Sequence, residues 1–133
     1  MNLERWIMYA LAIALGLWIG RMLSKKKQRV QISDFIQTLD VDAFAQSMRK
    51  GQLIDLRKEA AYQEGHIKGA RRFSGAFLKT KHQRQVRKDQ PVYLYCARGQ
   101  KAKRLAPKLV RKGYRHVFIL KGGFDAYQRH KKH

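Results

Sequence analysis

The sequence of 133 residues contains a single cysteine, Cys96. One cysteine excludes an internal disulfide and the zinc sites built from several cysteines, and the five histidines show no metal-ligand spacing. We therefore expect no bound metal. A chain without disulfides is typical of a reducing compartment.

Acidic residues are also scarce, since 9 Asp and Glu stand against 30 Lys and Arg, a formal net charge of +21. Such a charge implies anionic surroundings: acidic lipid, nucleic acid, an acidic partner or small anions. The sequence contains no recognised nucleic-acid motif, so we rank nucleic acid below lipid head groups or an acidic partner. With 44% apolar and 11% aromatic residues, the chain can build a core and does not resemble a disordered protein.

The chain has one long apolar run, which is uncharged from Trp6 to Gly20. Extended through Arg21 to Leu23, the run is as long as the shorter membrane-spanning helices. We predict that residues 1–23 form a transmembrane anchor, with residues 6–23 in the membrane. A cleaved signal peptide is a weaker alternative, because no A-x-A site closes the run and basic residues follow at once. A buried core helix is the third alternative, but the run is apolar on every side.

The basic residues near this run lie mostly after it. Arg5 precedes the run, whereas Arg21, Lys25, Lys26, Lys27 and Arg29 follow it. By the positive-inside rule this asymmetry predicts a single-pass membrane protein whose remaining residues, after the run, lie on the cytoplasmic side. Residues 24–37 are then a basic juxtamembrane tether, and residues 38–133 the folded domain.

From residue 38 onward, short apolar runs alternate with amphipathic segments. One predicted strand ends at residues 38–39, and the others span residues 53–56, 70–73, 92–95 and 117–120. The predicted helices span residues 41–48, 59–63, 76–87, 102–110 and 123–127. This alternation predicts an α/β fold whose mostly parallel sheet is covered by helices on both sides.

Cys96 lies where a predicted buried strand passes into a helix. A basic loop containing a glycine follows it, and apolar residues then recur at helical spacing: Ala102, Leu105, Ala106, Leu109 and Val110. At such a junction, free backbone N–H groups and the positive end of the helix dipole point at the sulfur. This favours the thiolate, which is the reactive form.

Five segments of residues 38–128 carry a resemblance to a known family. They are Asp55-Leu56-Arg57; Tyr62-x-x-Gly65-His66-Ile67-x-Gly69-Ala70; Val92-Tyr93-Leu94-Tyr95-Cys96 with the loop to Lys101; Gly113-Tyr114; and Val117-x-x-Leu120-Lys121-Gly122-Gly123-Phe124. In this order and spacing, the region resembles a single rhodanese (sulfurtransferase) domain. The resemblance implies a rhodanese-like fold with a central five-stranded parallel sheet. It also implies an enzyme that moves sulfane sulfur from a donor such as thiosulfate through a Cys96 persulfide to a nucleophilic acceptor, without a metal or organic cofactor.

The residues after Cys96 suit that chemistry, with Cys96 as the catalytic nucleophile and persulfide carrier. A persulfide needs anion-stabilising donors, and the backbone N–H groups of residues 97–101 can form such a nest. Arg98 and Lys101 add positive charge that suits an anionic donor. The candidate substrate-binding residues are therefore Arg98, Gly99, Gln100 and Lys101, with Gly99 allowing the loop to curl around the sulfur.

Two further residues, Asp55 and Arg57, are candidate supporting residues that form a pair bracing the site. Because the chain has no second cysteine to resolve a persulfide, the acceptor thiol must come from outside. We expect a small-molecule sulfur donor, and a small thiol or a thioredoxin-like protein as the acceptor.

Loop length separates sulfur transfer from phosphate chemistry. Related cysteine phosphatases use a longer Cys-x5-Arg loop whose arginine binds phosphate bidentately. Here Ala102 stands at that arginine position and Lys101 precedes it, so the loop resembles that of the sulfurtransferases. Ala97 replaces the arginine that often follows the family's cysteine. This departure keeps open the alternative of a low-activity binding or regulatory module at the membrane.

Overall fold

The structure is a computed structural model that describes residues 2–24 and 30–132, without the side chains of residues 24 and 82. The chain divides into two compact units, Met1–Val30 and Gln31–His133. Residues 25–29, which hold most of the predicted basic cluster and part of the predicted tether, lie outside the described residues.

The first unit contains one helix, α1 (Leu3–Ser24). Its residues 3–23 are exposed throughout, including large apolar side chains such as Trp6, Leu15 and Trp18. The segment Leu3–Leu23 is long and apolar enough to cross a membrane. The predicted apolar helix at the N terminus is therefore present.

The second unit is an α/β domain. In chain order its strands and helices are β1 (Ile36–Leu39), α2 (Val41–Ser47), β2 (Gln52–Asp55), α3 (Glu59–Glu64), β3 (Arg71–Arg72), β4 (Val92–Tyr95), α4 (Gln100–Arg111), β5 (Val117–Leu120) and α5 (Gly123–Lys131). The strands form one five-stranded sheet in the order β1-β5-β4-β2-β3. Every neighbouring pair is parallel, as predicted.

Alternate residues of β4 and β5 enter two separate cores, as do Leu53 and Ile54 of β2, because successive side chains of a strand point to opposite sides of the sheet. One core takes Ile54, Leu94 and Ile119 of the sheet and packs them against the apolar side of α4. The other core takes Leu53, Tyr93 and Leu120 and packs them against α2 and α5. Helices therefore cover both sides of the sheet, which confirms the predicted fold class.

The domain begins earlier than the predicted residue 38. The compact unit starts at Gln31, and a 3-10 turn, Ile32–Phe35, leads directly into β1. Ile32 and Phe35 are partly buried against the core beneath α4. Their apolar side chains place the last part of the predicted tether inside the domain.

The predicted basic helix over residues 76–87 is wrong. The segment instead forms two short 3-10 helices, Phe77–Lys79 and Lys81–Gln85. Thr80 separates them with an extended backbone, and its Oγ1 donates to the Phe77 carbonyl oxygen over 3.0 Å. A threonine whose hydroxyl bonds a nearby backbone carbonyl in this way competes with helical hydrogen bonding.

Candidate active site

Residues that follow or end three strands lie at one edge of the sheet, because all its strands are parallel and end on the same side. Asp55 is the last residue of β2, Cys96 follows β4 directly, and Lys121 follows β5. These positions therefore lie together at the carboxyl ends of the parallel strands. Cys96 lies at the centre, since β4 is the middle strand of the sheet.

Cys96 is buried, with 2% of its surface exposed. Its Sγ accepts a hydrogen bond from the Gly99 amide over 3.0 Å. Gly99 has φ +95° and is the N-cap of α4, so the loop turns sharply and its amide points back at the sulfur. Within the described part of the chain, no other amide of residues 97–101 is bonded to Sγ. The predicted nest of backbone donors therefore has one member that bonds the sulfur.

A cavity of about 450 Å³ opens over the sulfur. It is lined by Arg57, Lys58, Ala61, Cys96, Ala97, Arg98, Gln100, Lys101 and Asp125. The structure thus brings together Cys96 and three of the predicted substrate-binding side chains. Gly99 lies under the sulfur and contributes its amide. Asp55 lies behind the cavity wall, where it holds Arg57.

The Asp55–Arg57 pair braces one wall of this cavity. The Asp55 carboxylate accepts from Arg57 Nε over 3.1 Å and from Nη2 over 2.9 Å, and it also accepts from the Arg57 backbone amide over 2.8 Å. The guanidinium carbon lies 3.9 Å from the centroid of the Phe124 ring. Asp55 is fully buried and Arg57 is 9% exposed. A buried pair with this many bonds fixes the guanidinium in one orientation.

Helix α5 contacts the segment from Cys96 to Gly99, which we call the cysteine loop. The amides of Phe124 and Asp125, in its first turn, donate to the carbonyl oxygens of Cys96 over 2.8 Å and of Ala97 over 3.1 Å. A Cβ on Gly123 would lie 2.6 Å from the Ala97 carbonyl oxygen and would also collide with that of Cys96. Glycine is therefore required where this helix approaches the loop.

Asp125 is a site residue that the sequence reasoning missed. Its Oδ2 lies 3.7 Å from Nε of Arg98, and both side chains are largely exposed at the mouth of the cavity. The signal available in the sequence was its position two residues after Gly123, in the first turn of a helix that begins at the same sheet edge. Lys58 and Ala61, which also line the cavity, were missed as well.

Tyr95 and His66 shape the surroundings without reaching the cavity. The Tyr95 hydroxyl accepts from the Ile67 amide over 3.2 Å, and burial raises the pKa of Tyr95 well above its usual range. His66 stacks on Tyr62 at a centroid distance of 3.8 Å, and its Nδ1 lies 2.9 Å from the Tyr62 carbonyl oxygen. These contacts connect the loop between α3 and β3 to the end of β4 and to α3.

The arrangement offers one nucleophile, a backbone donor on that nucleophile, and several cationic side chains around a small cavity. Among the described residues, no group of three or more His, Cys, Asp or Glu side chains could hold a metal ion. The groups that are present suit attack by a thiolate and stabilisation of a sulfur anion.

Comparison with known proteins agrees with this geometry. The sequence model of the Rhodanese-like domain matches residues 40–130. The chain is 39% identical over 92 residues to the uncharacterized protein YqhL of Bacillus subtilis, covering 69% of this chain and 72% of that protein. It is 33% identical over 78 residues to the thiosulfate sulfurtransferase GlpE of Coxiella burnetii, covering 59% of this chain and 72% of that protein.

A solved structure shares the fold. The crystal structure of a rhodanese-related protein from Thermoplasma volcanium superimposes with a TM-score of 0.64 at 16% identity. The superposition covers 71% of this chain and 92% of that one. At this level of identity, the similarity is one of fold.

Proposed function

Since this chain belongs to the rhodanese-like domain family, we propose that it is a sulfurtransferase that carries sulfane sulfur on Cys96. The observation that carries the proposal is the position of Sγ at the base of a cavity of about 450 Å³, bonded to the Gly99 amide over 3.0 Å. A persulfide on Cys96 would extend from this sulfur toward the cavity.

The first half-reaction, with thiosulfate as the donor, begins when the Cys96 thiolate attacks the outer, sulfane sulfur. A new S–S bond forms to Cys96, the S–S bond of thiosulfate breaks, and sulfite leaves with its electron pair. Arg98 and Lys101 line the cavity and suit the double negative charge of this donor. The Gly99 amide holds the attacking sulfur in place.

The second half-reaction restores the enzyme. An acceptor thiolate attacks the outer sulfur of the Cys96 persulfide, the acceptor gains that sulfur, and the electron pair of the broken S–S bond returns to Cys96 as a thiolate. The chain has one cysteine, so the acceptor thiol is supplied by another molecule. We propose a small thiol or a thioredoxin-like protein in this role.

A turnover assay tests this function. Full-length protein in nonionic detergent is given thiosulfate and cyanide, and thiocyanate is measured over time. We expect turnover in the wild type, none in Cys96→Ser, and wild-type rates in the matched surface variant Asp42→Asn, whose residue is paired with His130 away from the cavity. A wild type no faster than Cys96→Ser with thiosulfate and with a glutathione persulfide donor would contradict the proposal.

A second candidate function is a rhodanese-fold binding or regulatory module with low activity at the membrane. The Arg98–Asp125 pair favours it, because the carboxylate offsets part of the positive charge that an anionic donor needs. In that case Cys96 would react with donors no faster than a free thiol does. A comparison of second-order rate constants for the protein and for glutathione separates the two functions.

We further propose that α1 anchors the protein as a single-pass membrane protein with the rhodanese-like domain on the cytoplasmic side. The length and apolar character of Leu3–Leu23 support this, as does the excess of basic residues after it. Full-length protein should resist alkaline extraction from membranes, and a variant lacking residues 1–30 should be extracted. Protection of a C-terminal tag from protease in intact cells tests the orientation, and cleavage of that tag would contradict it.

A further inference from the structure

Helix α4 has one apolar side and one basic side. Its apolar residues are buried in the core, whereas all of its Lys and Arg side chains are exposed. The exposed cations are Lys101, Lys103, Arg104, Lys108 and Arg111, followed by Lys112 at the C-cap. We call this set the α4 basic face.

The α4 basic face has no internal charge compensation. The sequence has no acidic residue between Asp89 and Asp125, and in the described part of the chain no ion pair involves a residue of this face. Some cations elsewhere on the domain have acidic neighbours, as Arg72 has Glu59. An exposed surface of one sign attracts a partner of the opposite sign.

Part of this arrangement works against the stability of the helix. Lys101 and Lys103 occupy the first turn, where the helix dipole favours acidic side chains. Lys108 lies four residues from both Arg104 and Lys112, a spacing at which like charges repel each other. The helix dipole favours Lys108 and Arg111 in the last turn but not Lys101 and Lys103 in the first, so helix formation does not account for the whole set.

The α4 basic face is continuous with the candidate active site. Helix α4 begins directly after Gly99, whose amide bonds the sulfur of Cys96. Lys101 belongs both to this face and to the cavity lining. A partner drawn to the face is thereby brought to the mouth of the cavity.

We propose that the α4 basic face is the docking surface for a thiol-carrying protein that is acidic around its thiol, and that this protein accepts the sulfur. The inference rests on the proposed function, in which an external thiolate attacks the Cys96 persulfide. A protein is favoured over a lipid surface because a bilayer lying along α4 would cover the cavity mouth at Lys101. Electrostatic complementarity of this kind raises the rate of association more than the rate of chemistry.

The experiment measures single-turnover sulfur transfer from the persulfide form of the full-length protein in nonionic detergent. The probes are a reduced thioredoxin-like protein of net negative charge and dithiothreitol, a small neutral thiol. The test variant is K108E/R111E/K112E, which leaves the cavity lining intact. The control variant R129E/K131E/K132E makes the same change in net charge at the end of α5, on the other side of the sheet.

The proposal predicts that the test variant transfers sulfur to the acidic protein about tenfold more slowly than the wild type, whereas the control variant stays within about twofold. Transfer to dithiothreitol should be the same in all three proteins. Added salt should slow the wild-type reaction with the acidic protein and leave the reaction with dithiothreitol unchanged. Equal rates in the two variants would overturn the proposal.

Two other outcomes are distinguishable. If the test variant loses binding to phosphatidylserine vesicles but transfers sulfur to the acidic protein at the wild-type rate, the face binds membrane and the proposal is wrong. If no persulfide forms on the wild type, the proposed function fails instead. Docking is then measured as the affinity of the protein for the acidic protein with its thiols changed to serine. If K108E/R111E/K112E has the wild-type affinity, the proposed docking surface is wrong as well.

Discussion

The Gly99 amide donates a hydrogen bond to Sγ of Cys96 over 3.0 Å, and Gly99 reaches this position only with φ +95°. The sulfur is therefore held by a backbone group whose placement depends on a conformation that side-chain-bearing residues rarely adopt. This relationship connects the local sequence, Cys96 followed three residues later by a glycine, to the chemistry proposed for the site.

We expect Gly99→Ala to slow sulfur transfer and to lower the free energy of unfolding only modestly. A Cβ at this position would lie 3.5 Å from the Gly122 nitrogen, an ordinary contact, so the cost comes from the left-handed backbone and is about 1–2 kcal/mol. Relief of that strain moves the amide away from the sulfur. Urea unfolding and single-turnover rates check the two effects, and a variant that keeps the wild-type rate would contradict the role of the amide.

Gly123→Ala should destabilise the domain more strongly than Gly99→Ala. Besides the positive φ of +65°, its Cβ would lie 2.6 Å from the Ala97 carbonyl oxygen, so α5 must move away from the cysteine loop. We expect a loss of more than about 2 kcal/mol in the free energy of unfolding. Gly75→Ala, with open space around the position, is the control and should resemble the wild type. If Gly123→Ala were as stable as Gly75→Ala, the close packing of α5 against the cysteine loop would be contradicted.

Asp55→Asn should lower the free energy of unfolding by about 3–5 kcal/mol, because it leaves the Arg57 guanidinium buried without its anionic partner. Urea unfolding measures the loss. The exposed pair Arg87–Asp89 provides the comparison, and Asp89→Asn should leave stability unchanged within error. A loss below about 1 kcal/mol at Asp55 would show that the pair does not brace the cavity wall.

Asp125→Asn should improve the use of thiosulfate. Removing the carboxylate 3.7 Å from Arg98 leaves more positive charge at the cavity mouth, and we expect KM for thiosulfate to fall with kcat unchanged. Both side chains are largely exposed, so the fall should be about two- to fivefold, and it should shrink at high salt. Steady-state kinetics with Asp42→Asn as the control check this. A KM that rises would mean that Asp125 positions Arg98 instead of offsetting its charge.

The sequence predicted the centre of the fold well. The bounds of β4 and β5 match the predicted runs at residues 92–95 and 117–120, because strands buried on both sides are continuous apolar runs. The helix predicted from residue 41 begins there, after an N-cap at Asp40 whose Oδ1 accepts from the Ala43 amide over 2.8 Å. Local patterns of this kind depend on near neighbours in the chain.

The parts that failed depend on contacts between distant residues. Asp125 reaches the site because two amides of α5 bond the carbonyl oxygens of the cysteine loop, and these bonds join residues far apart in the chain. Ile32 and Phe35 belong to the domain because they pack beneath α4. Residues 76–87 carry a basic, helix-like composition, yet burial of Phe77 and Leu78 and the bond made by Thr80 break the segment into two turns.

The most direct test of the account is the mass of Cys96 after exposure to a sulfur donor. Full-length protein is incubated with thiosulfate, freed of excess donor, and digested under conditions that preserve persulfides, with Cys96→Ser treated in parallel. We predict that the peptide containing Cys96 gains the mass of one sulfur atom and loses it when a reduced thiol is added. A Cys96 peptide that never gains sulfur from thiosulfate or from a glutathione persulfide would contradict the account.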